Sequence, residues 1–292
     1  LASLAKEDDV DGSGLDGGLS SELRERMAAL RAFLADQDGV VVAFSGGVDS
    51  TFLAAVAHEV LGDRALAITA HGVSFPQWAN DQAEELARSI GIRHRCVSVD
   101  QLAVPGFRDN PPDRCYHCKL AILGAINAIA AEEGISCLVD GSNEDDHGDY
   151  RPGAKASRER GVRSPLQELH FTKEDIRTVS RAMGLATADL PSYACLASRI
   201  PYGTAITPNA LASVDRLEQF LRSEGFDVCR ARVHGDLLRI EVEDTALVRL
   251  TTDPLRARLQ AAATAEGFRY LTLDLKGFRS GSMNEVLRDP VG

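Results

Sequence analysis

The chain has 292 residues, 44% of them apolar, with 43 Asp and Glu against 32 Lys and Arg, a formal net charge of −11. Affinity for nucleic acid driven by bulk charge needs clustered cations on the phosphate backbone, so this balance argues against it. The longest apolar stretch, 121–131, is interrupted by Gly124 and Asn127 and falls well short of the roughly 20 residues that cross a bilayer, so no membrane span is expected.

Residues 1–20 hold five acidic residues, four Gly and three Ser without apolar period, which predicts a disordered acidic leader and no secretory signal. Leu23, Met27, Leu30, Phe33 and Leu34 recur at three- and four-residue steps, the period of an amphipathic helix. Gly39 then opens Val40–Phe44, apolar on both faces as a buried parallel strand requires. Helices over 51–61 and 78–90 alternate with strands over 65–70 and 93–99. A helix over 115–133, a strand over 136–140, a polar loop over 141–163 and a helix over 173–183 follow, the last with Thr172 as N-cap and Asp175 three residues on. This alternation predicts an α/β fold with a doubly wound, mostly parallel sheet over 21–187. The remainder, 188–292, reads as a smaller α+β domain: a helix over 208–224, a hairpin over 228–242 turning at His234-Gly235-Asp236, a helix over 246–266 and a strand over 270–275.

Between the first strand and its helix stands Ser45-Gly46-Gly47-Val48-Asp49-Ser50. There, backbone N–H groups and the helix dipole converge on an anion, and two glycines let the backbone approach a phosphate. Ser45 and Ser50 offer hydroxyls, and Asp49 suits a magnesium ion bridging phosphates. No Walker lysine is present, which argues against P-loop γ-phosphate transfer. A plain strand-to-helix turn is the bland alternative. The hexapeptide resembles the PP-loop (SGGxDS) of the ATP pyrophosphatase superfamily, which implies cleavage of ATP between its α and β phosphates and adenylation of a substrate oxygen.

Of six cysteines, Cys115, Cys118 and Cys195 stand in polar, punctuated sequence, whereas Cys96, Cys137 and Cys229 lie in strand-like runs and read as small core residues. So few cysteines exclude a disulfide scaffold and suit metal or thiol chemistry in a reducing cytosol. A CxxC pair at a helix start serves zinc, a redox dithiol or an iron–sulfur cluster, or it merely packs. Zinc would need further ligands, and the local candidate, His117, points away from a helical pair. Arg114, Lys119 and the helix N-terminus should favour thiolate. In the predicted strand through Val228, Arg230 and Arg232 share one face opposite Cys229, Ala231 and Val233, a pair of guanidiniums suited to a phosphate or carboxylate unless the face is merely solvated. Arg199, four residues after Cys195, adds a third cation.

Taken together, the PP-loop, 110–119, Asp140-Gly141-Ser142-Asn143 with Asp145-Asp146, 163–166, 194–202 and 230–234 resemble the LarE-type ATP-dependent sulfur transferases, which build the thiocarboxylates of the nickel-pincer nucleotide cofactor of lactate racemase. The resemblance implies adenylation of a carboxylate on a pyridinium dicarboxylate mononucleotide, release of pyrophosphate, and sulfur attack that expels AMP. It implies ATP contacts at Ser45, Gly46, Gly47, Asp49, Ser50, Gly141 and Asn143, with Mg2+. Catalytic roles fall on Cys195, Asp49 and Arg199, and substrate contacts on Arg230, Arg232, Ser198, Trp78 and Glu218, with packing as the bland role for Trp78. In one subgroup the cysteine at the Cys195 position gives up its own sulfur; in another, three cysteines hold a 4Fe-4S cluster carrying an extra sulfide. The set Cys115, Cys118 and Cys195 favours the cluster branch.

The expected protein is a cytoplasmic homo-oligomer acting on a small molecule, without nucleic acid or membrane as partner. Rival readings are a tRNA thiolase, disfavoured by the −11 charge; an amide-forming synthetase, which leaves three loop cysteines unexplained; and a nucleotide-binding iron–sulfur or zinc sensor without turnover.

Overall fold

The structure, a computed structural model, describes residues 18–146, 152–191, 194–279 and 281–284. Residues 1–17, which include most of the expected leader, lie outside the described residues; Leu19 is already buried and Ser20 caps the first helix.

In chain order the elements are α1 (Ser21–Ala35), β1 (Val40–Ala43), α2 (Val48–Leu61), β2 (Ala65–His71), α3 (Gln77–Ile90), β3 (Arg93–Ser98), α4 (Arg114–Glu132), β4 (Cys137–Val139), α5 (Pro152–Glu159), α6 (Pro165–Glu168) and α7 (Lys173–Ala182). Then come α8 (Pro208–Ser223), β5 (Cys229–His234), β6 (Leu237–Val242), α9 (Leu247–Leu250), α10 (Leu255–Ala265) and β7 (Tyr270–Leu273). The first sheet runs β3-β2-β1-β4, with every pair parallel. Its strand order reverses between β1 and β4, and in such sheets the crevice at the strands' carboxyl ends is where ligands bind. The second sheet runs β5-β6-β7, antiparallel then parallel, and the β5–β6 hairpin turns through Gly235 at φ 64°, where a left-handed residue is needed.

Apolar periodicity built these layers as expected. The stripe Leu23, Met27, Leu30 and Leu34 seals α1 against the core, and α2, apolar nearly all round, is sunk in it. α7 carries a complete capping box: Asp175 N donates to Thr172 Oγ1 at 3.1 Å and Thr172 N to Asp175 Oδ2 at 2.9 Å. Three expectations need correction. The segment read as a polar loop contains α5, whose Ala156 and Ser157 are buried. The helix expected over 246–266 is broken into α9 and α10 at Asp253-Pro254, because Pro lacks an N–H and disfavours helical backbone before it. The last strand stops at Leu273 instead of Leu275.

The second core gathers around α8, β5 and β6 and reaches back to Phe107 in the segment between β3 and α4. Asn110 fixes that junction: its Nδ2 donates to the carbonyls of Ile200, Pro201 and Thr204 at 2.8–3.2 Å. Leu196 N donates to Ser74 O at 2.8 Å, holding the Cys195 loop to the end of β2. Among the described residues no helix is long and apolar enough to cross a membrane.

Candidate active site

A cavity of about 740 Å³ opens at the carboxyl ends of β1 and β4. The turn Ser45–Ser50 forms one wall. Gly46 takes φ 69°, and an added Cβ would lie 3.1 Å from Ala83, so glycine is required by both backbone and packing. Gly47 caps α2, which places Asp49 and Ser50 in its first turn, three residues earlier than the helix start expected from sequence. Ser45 Oγ and Ser50 Oγ lie 3.1 Å apart, and Ser50 Oγ bonds Gly47 O at 3.1 Å, so the hydroxyls brace the loop from within. Gly141 is where β4 meets this loop: a Cβ there would fall 2.9 Å from Ser50 N. Asn143, buried, closes the same wall and accepts from Asp145 N at 3.0 Å through Oδ1.

Two lysines complete the pocket: Lys173, which sequence reading missed, and Lys119, which it assigned only to favouring thiolate. Lys173, the first residue of α7, sets its ammonium 2.5 Å from Asp49 Oδ2, while its backbone N donates to Asp145 Oδ2 at 2.8 Å. Asp49 Oδ1 is buried without a hydrogen-bond partner, the vacant valence expected of a metal ligand. That orphan oxygen fits a magnesium ion. Lys119, the residue directly after Cys118, binds Asp140 Oδ2 at 2.9 Å. Burial alone would raise the Asp140 carboxyl, but Lys119 and donors from Ser164 and Ser142 pull it down to about 2. Asp140 thereby ties β4 to α4, to the α6 cap and, through Ser157 Oγ at 3.0 Å, to α5. No short sequence signal reveals these ion pairs, because the lysines' partners are far away along the chain.

At the other end of the cavity stand Cys115, Cys118 and Cys195 with Arg114. The three thiols are close enough that Cys195 raises both others electrostatically. Thiolate was the expectation; the structure corrects it. Burial, then Cys195, pushes Cys118 to about 12 even though Gln101 Nε2 donates to its sulfur at 3.1 Å, and burial also drives Cys115 up against the opposing Arg114. Arg114 divides its charge among Cys115, Asn110 Oδ1 and the ring of Tyr202, and Lys119 is paired with Asp140. Such thiols ionise when a metal displaces their protons. Their sulfurs do not all fall within 4.8 Å of one another, since the one described set of three that does is His71, Glu84 and Cys96. His117 points away, as expected, toward Asp113 at 3.4 Å.

Behind Cys195 lies a buried clamp. Arg199 and Glu218, each 1% exposed, pair bidentately at 2.8 Å. Arg199 Nη1 also donates to the carbonyls of Ala194 at 2.7 Å and Cys195 at 3.0 Å and to Ser198 Oγ at 2.8 Å. Arg199 therefore holds the shape of the cysteine loop. Glu218 is held below the usual carboxylate range: burial opposes ionisation, but Arg199, Arg230 and the Ala231 amide outweigh it.

Arg230 and Arg232 are not on a solvated face; both are buried. Arg232 binds Glu241 Oε2, Ser282 Oγ and Ser198 O, each at 2.8 Å. Arg230 lies over the Phe278 ring at 4.7 Å, and burial together with repulsion from Arg199 and Arg232 lowers its pKa to about 10 against the pull of Glu218. A guanidinium so placed gains from an arriving anion. It lines a second cavity of about 450 Å³ with Trp78, Arg222 and Pro191, and this cavity meets the first at Gly47 and Pro191. Arg222 covers one face of Trp78 at 4.4 Å. Of the cysteines read as core, Cys229 is buried, Cys137 is half-buried, and Cys96, a correction, is exposed.

A phosphate-binding turn at a sheet's switch point, with an orphan carboxylate oxygen and two lysines beside it, defines an ATP-dependent enzyme of the PP-loop class. The sequence pattern of the NAD synthase family matches residues 22–108. The pyridinium-3,5-bisthiocarboxylic acid mononucleotide synthase of Lactiplantibacillus plantarum is 39% identical over 91% of this chain and 96% of its own length. An uncharacterized protein of Synechocystis sp. is 40% identical over 91% of this chain and 99% of its own. An NH(3)-dependent NAD(+) synthetase of Methanoregula boonei is 34% identical over 30% of this chain and 38% of its own. The chain belongs to the family of the pyridinium-3,5-bisthiocarboxylic acid mononucleotide synthase, the LarE-type branch of the PP-loop ATP pyrophosphatases.

Proposed function

We propose that the protein converts the carboxylates of pyridinium-3,5-biscarboxylic acid mononucleotide to thiocarboxylates at the expense of ATP. The observation that carries this reading is that the PP-loop and the three loop cysteines line one cavity. A carboxylate is a poor acyl electrophile, so the chemistry needs a better leaving group beside the sulfur source.

The α2 N-terminus and the Ser45–Gly47 backbone bind the β and γ phosphates, which lets Lys173 exchange Asp49 for phosphate oxygen. Asp49 Oδ1, which otherwise lacks a partner, would hold Mg2+, a group that would neutralise charge on the phosphates. The substrate carboxylate attacks the α-phosphorus, the bond to the β-phosphate oxygen breaks, and pyrophosphate leaves. Sulfur next attacks the acyl carbon, and AMP departs with the former carboxylate oxygen. Arg230, in the adjoining cavity, anchors an anionic group of the substrate, while Arg232 and Arg199 fix Ser198 and the cysteine loop from behind. Cys115, Cys118 and Cys195 would hold a 4Fe-4S cluster with one iron free of protein ligand, a group that supplies inorganic sulfide.

Protein prepared without oxygen is expected to carry iron, to lose it on replacement of any of the three cysteines by Ala, and to keep Cys195 at its original mass after turnover. An iron-free protein that loses the mass of hydrogen sulfide from Cys195 would replace the cluster with sacrificial chemistry. ATP binding without AMP formation in the presence of the dicarboxylate would leave only a sensor.

A further inference from the structure

At the outer edge of the parallel sheet, His71, Glu84 and Cys96 each bring a ligand atom to within 4.8 Å of the other two. Three elements converge to make this cluster. In the β2–β3 register Thr69 faces Cys96 and His71 faces Ser98, so His71 and Cys96 project from the same face of the sheet, two residues apart in register. Glu84 reaches that face from α3, with Cys96 Sγ 3.6 Å from its Oε1. The Nε2 of His71 is buried and has no hydrogen-bond partner. None of the three takes part in the site described above.

We propose that His71, Glu84 and Cys96 form a mononuclear zinc site, with water in the fourth position of a tetrahedron. Imidazole, carboxylate and thiolate are the zinc donor set, and ligand lengths of about 2.0–2.3 Å put neighbouring donors roughly 3.3–3.8 Å apart on a tetrahedron, within reach of the spacing seen. His94 sits beside the cluster, but its Nε2 is engaged by Thr69 Oγ1 at 2.8 Å and is not counted as a ligand. In the metal-free protein partial desolvation, then the Glu84 charge and its hydrogen bond, push the Cys96 thiol up to about 11. Binding breaks the S–H bond, forms S–Zn and releases the proton to solvent, and the ion neutralises the Glu84 charge that had opposed thiolate. The unusual exposure of Cys96 for a strand cysteine leaves an entry path.

The site would be a clip rather than a reaction centre. His71 ends β2, and the next few residues lead to Ser74, whose carbonyl receives Leu196 N beside Cys195 and whose own N–H is held by Gln101 at 2.9 Å. Fixing His71 to β3 and α3 therefore fixes the strand end that supports the cysteine loop.

The test is titration of metal-stripped, full-length protein with Co2+ as the spectroscopic substitute for zinc, comparing wild type with Cys96→Ser, Glu84→Gln and a variant in which Cys115, Cys118 and Cys195 are all Ser. The expected result is a thiolate-to-cobalt absorption in the triple variant at one equivalent, displaced by Zn2+. Cys96→Ser should remove one equivalent from the wild-type stoichiometry with an unchanged circular dichroism spectrum. Glu84→Gln should weaken binding at least roughly tenfold, since even groups behind metal ligands command that much. A triple variant without the absorption, or a wild-type stoichiometry that Cys96→Ser does not change, overturns the proposal; the latter comparison stands if the triple variant does not fold. Neither result depends on the sulfur-transfer reading.

Discussion

Replacing Arg199 by Ala removes the positive half of a sealed ion pair. Glu218, 1% exposed, would keep the Ala231 amide at 3.0 Å and Arg222 at 3.9 Å beside its carboxylate. Breaking a buried pair by removing one partner costs about 3–5 kcal/mol, a large part of the about 5–15 kcal/mol that a folded domain has in total. The same change frees the carbonyls of Ala194 and Cys195 and the Ser198 hydroxyl. Urea unfolding followed by circular dichroism should show that loss for Arg199→Ala and a similar one for Glu218→Leu. The double variant Arg199→Met with Glu218→Leu, which strands no charge, should recover most of it. The double variant should still bind ATP but hold the cysteine loop loosely, with less iron and slower sulfur transfer. A single Arg199→Ala protein within about 1 kcal/mol of wild type, the size of a surface pair, would refute the buried-clamp reasoning, as would a double variant destabilised by the sum of the two singles.

Asp49→Asn should abolish AMP formation while leaving the fold intact, read by nucleotide analysis and circular dichroism, because it weakens the metal-binding oxygen without adding bulk. Gly141→Ala should raise the KM for ATP several-fold, since its Cβ would press on Ser50 N at 2.9 Å and shift the loop; an unchanged KM would sever the two walls of the pocket. Asp140, lowered from the ordinary 3.8 to about 2, contributes about 2 kcal/mol of stability above the unfolded carboxyl's titration. That contribution is lost as pH falls from about 4 through about 2, and Asp140→Asn should flatten this acid limb in thermal melts. Arg230→Ala should weaken dicarboxylate binding roughly ten- to a hundredfold, a loss of about 1.5–3 kcal/mol for a charged contact, and leave ATP affinity similar; equal losses for both ligands would contradict its place in the second cavity.

The nucleotide half of the site was legible because its parts are local: an apolar strand, a glycine pair and a helix start fall within about a dozen residues, and each obeys its own short-range rule. The cysteine trio was legible by contrast with its polar surroundings. Lys173, Lys119 and the Arg199–Glu218 clamp were not legible as partners, since tertiary packing alone joins them. Cys96 misled because it sits on β3, the edge strand of the four-stranded sheet, whose side chains are exposed or half-buried, so a strand-like run there is not sealed. The break between α9 and α10 did carry a signal, Pro254, outweighed by the apolar period on either side of it. α5 is eight residues of mostly polar sequence that gains its order from packing on α4, with Gly153 lying 3.3 Å, by its would-be Cβ, from Lys119.

The central claim is that one cavity couples ATP cleavage to sulfur transfer. Its most direct measurement is mass spectrometry of an anaerobic reaction of the iron-loaded protein with ATP, Mg2+, a sulfide source and pyridinium-3,5-biscarboxylic acid mononucleotide. AMP and pyrophosphate should appear only with the dicarboxylate, and the pyridinium product should gain one sulfur in place of one oxygen per AMP released. AMP formed equally well without the dicarboxylate, or formed with it while every carboxylate oxygen stays in the product, would contradict the account.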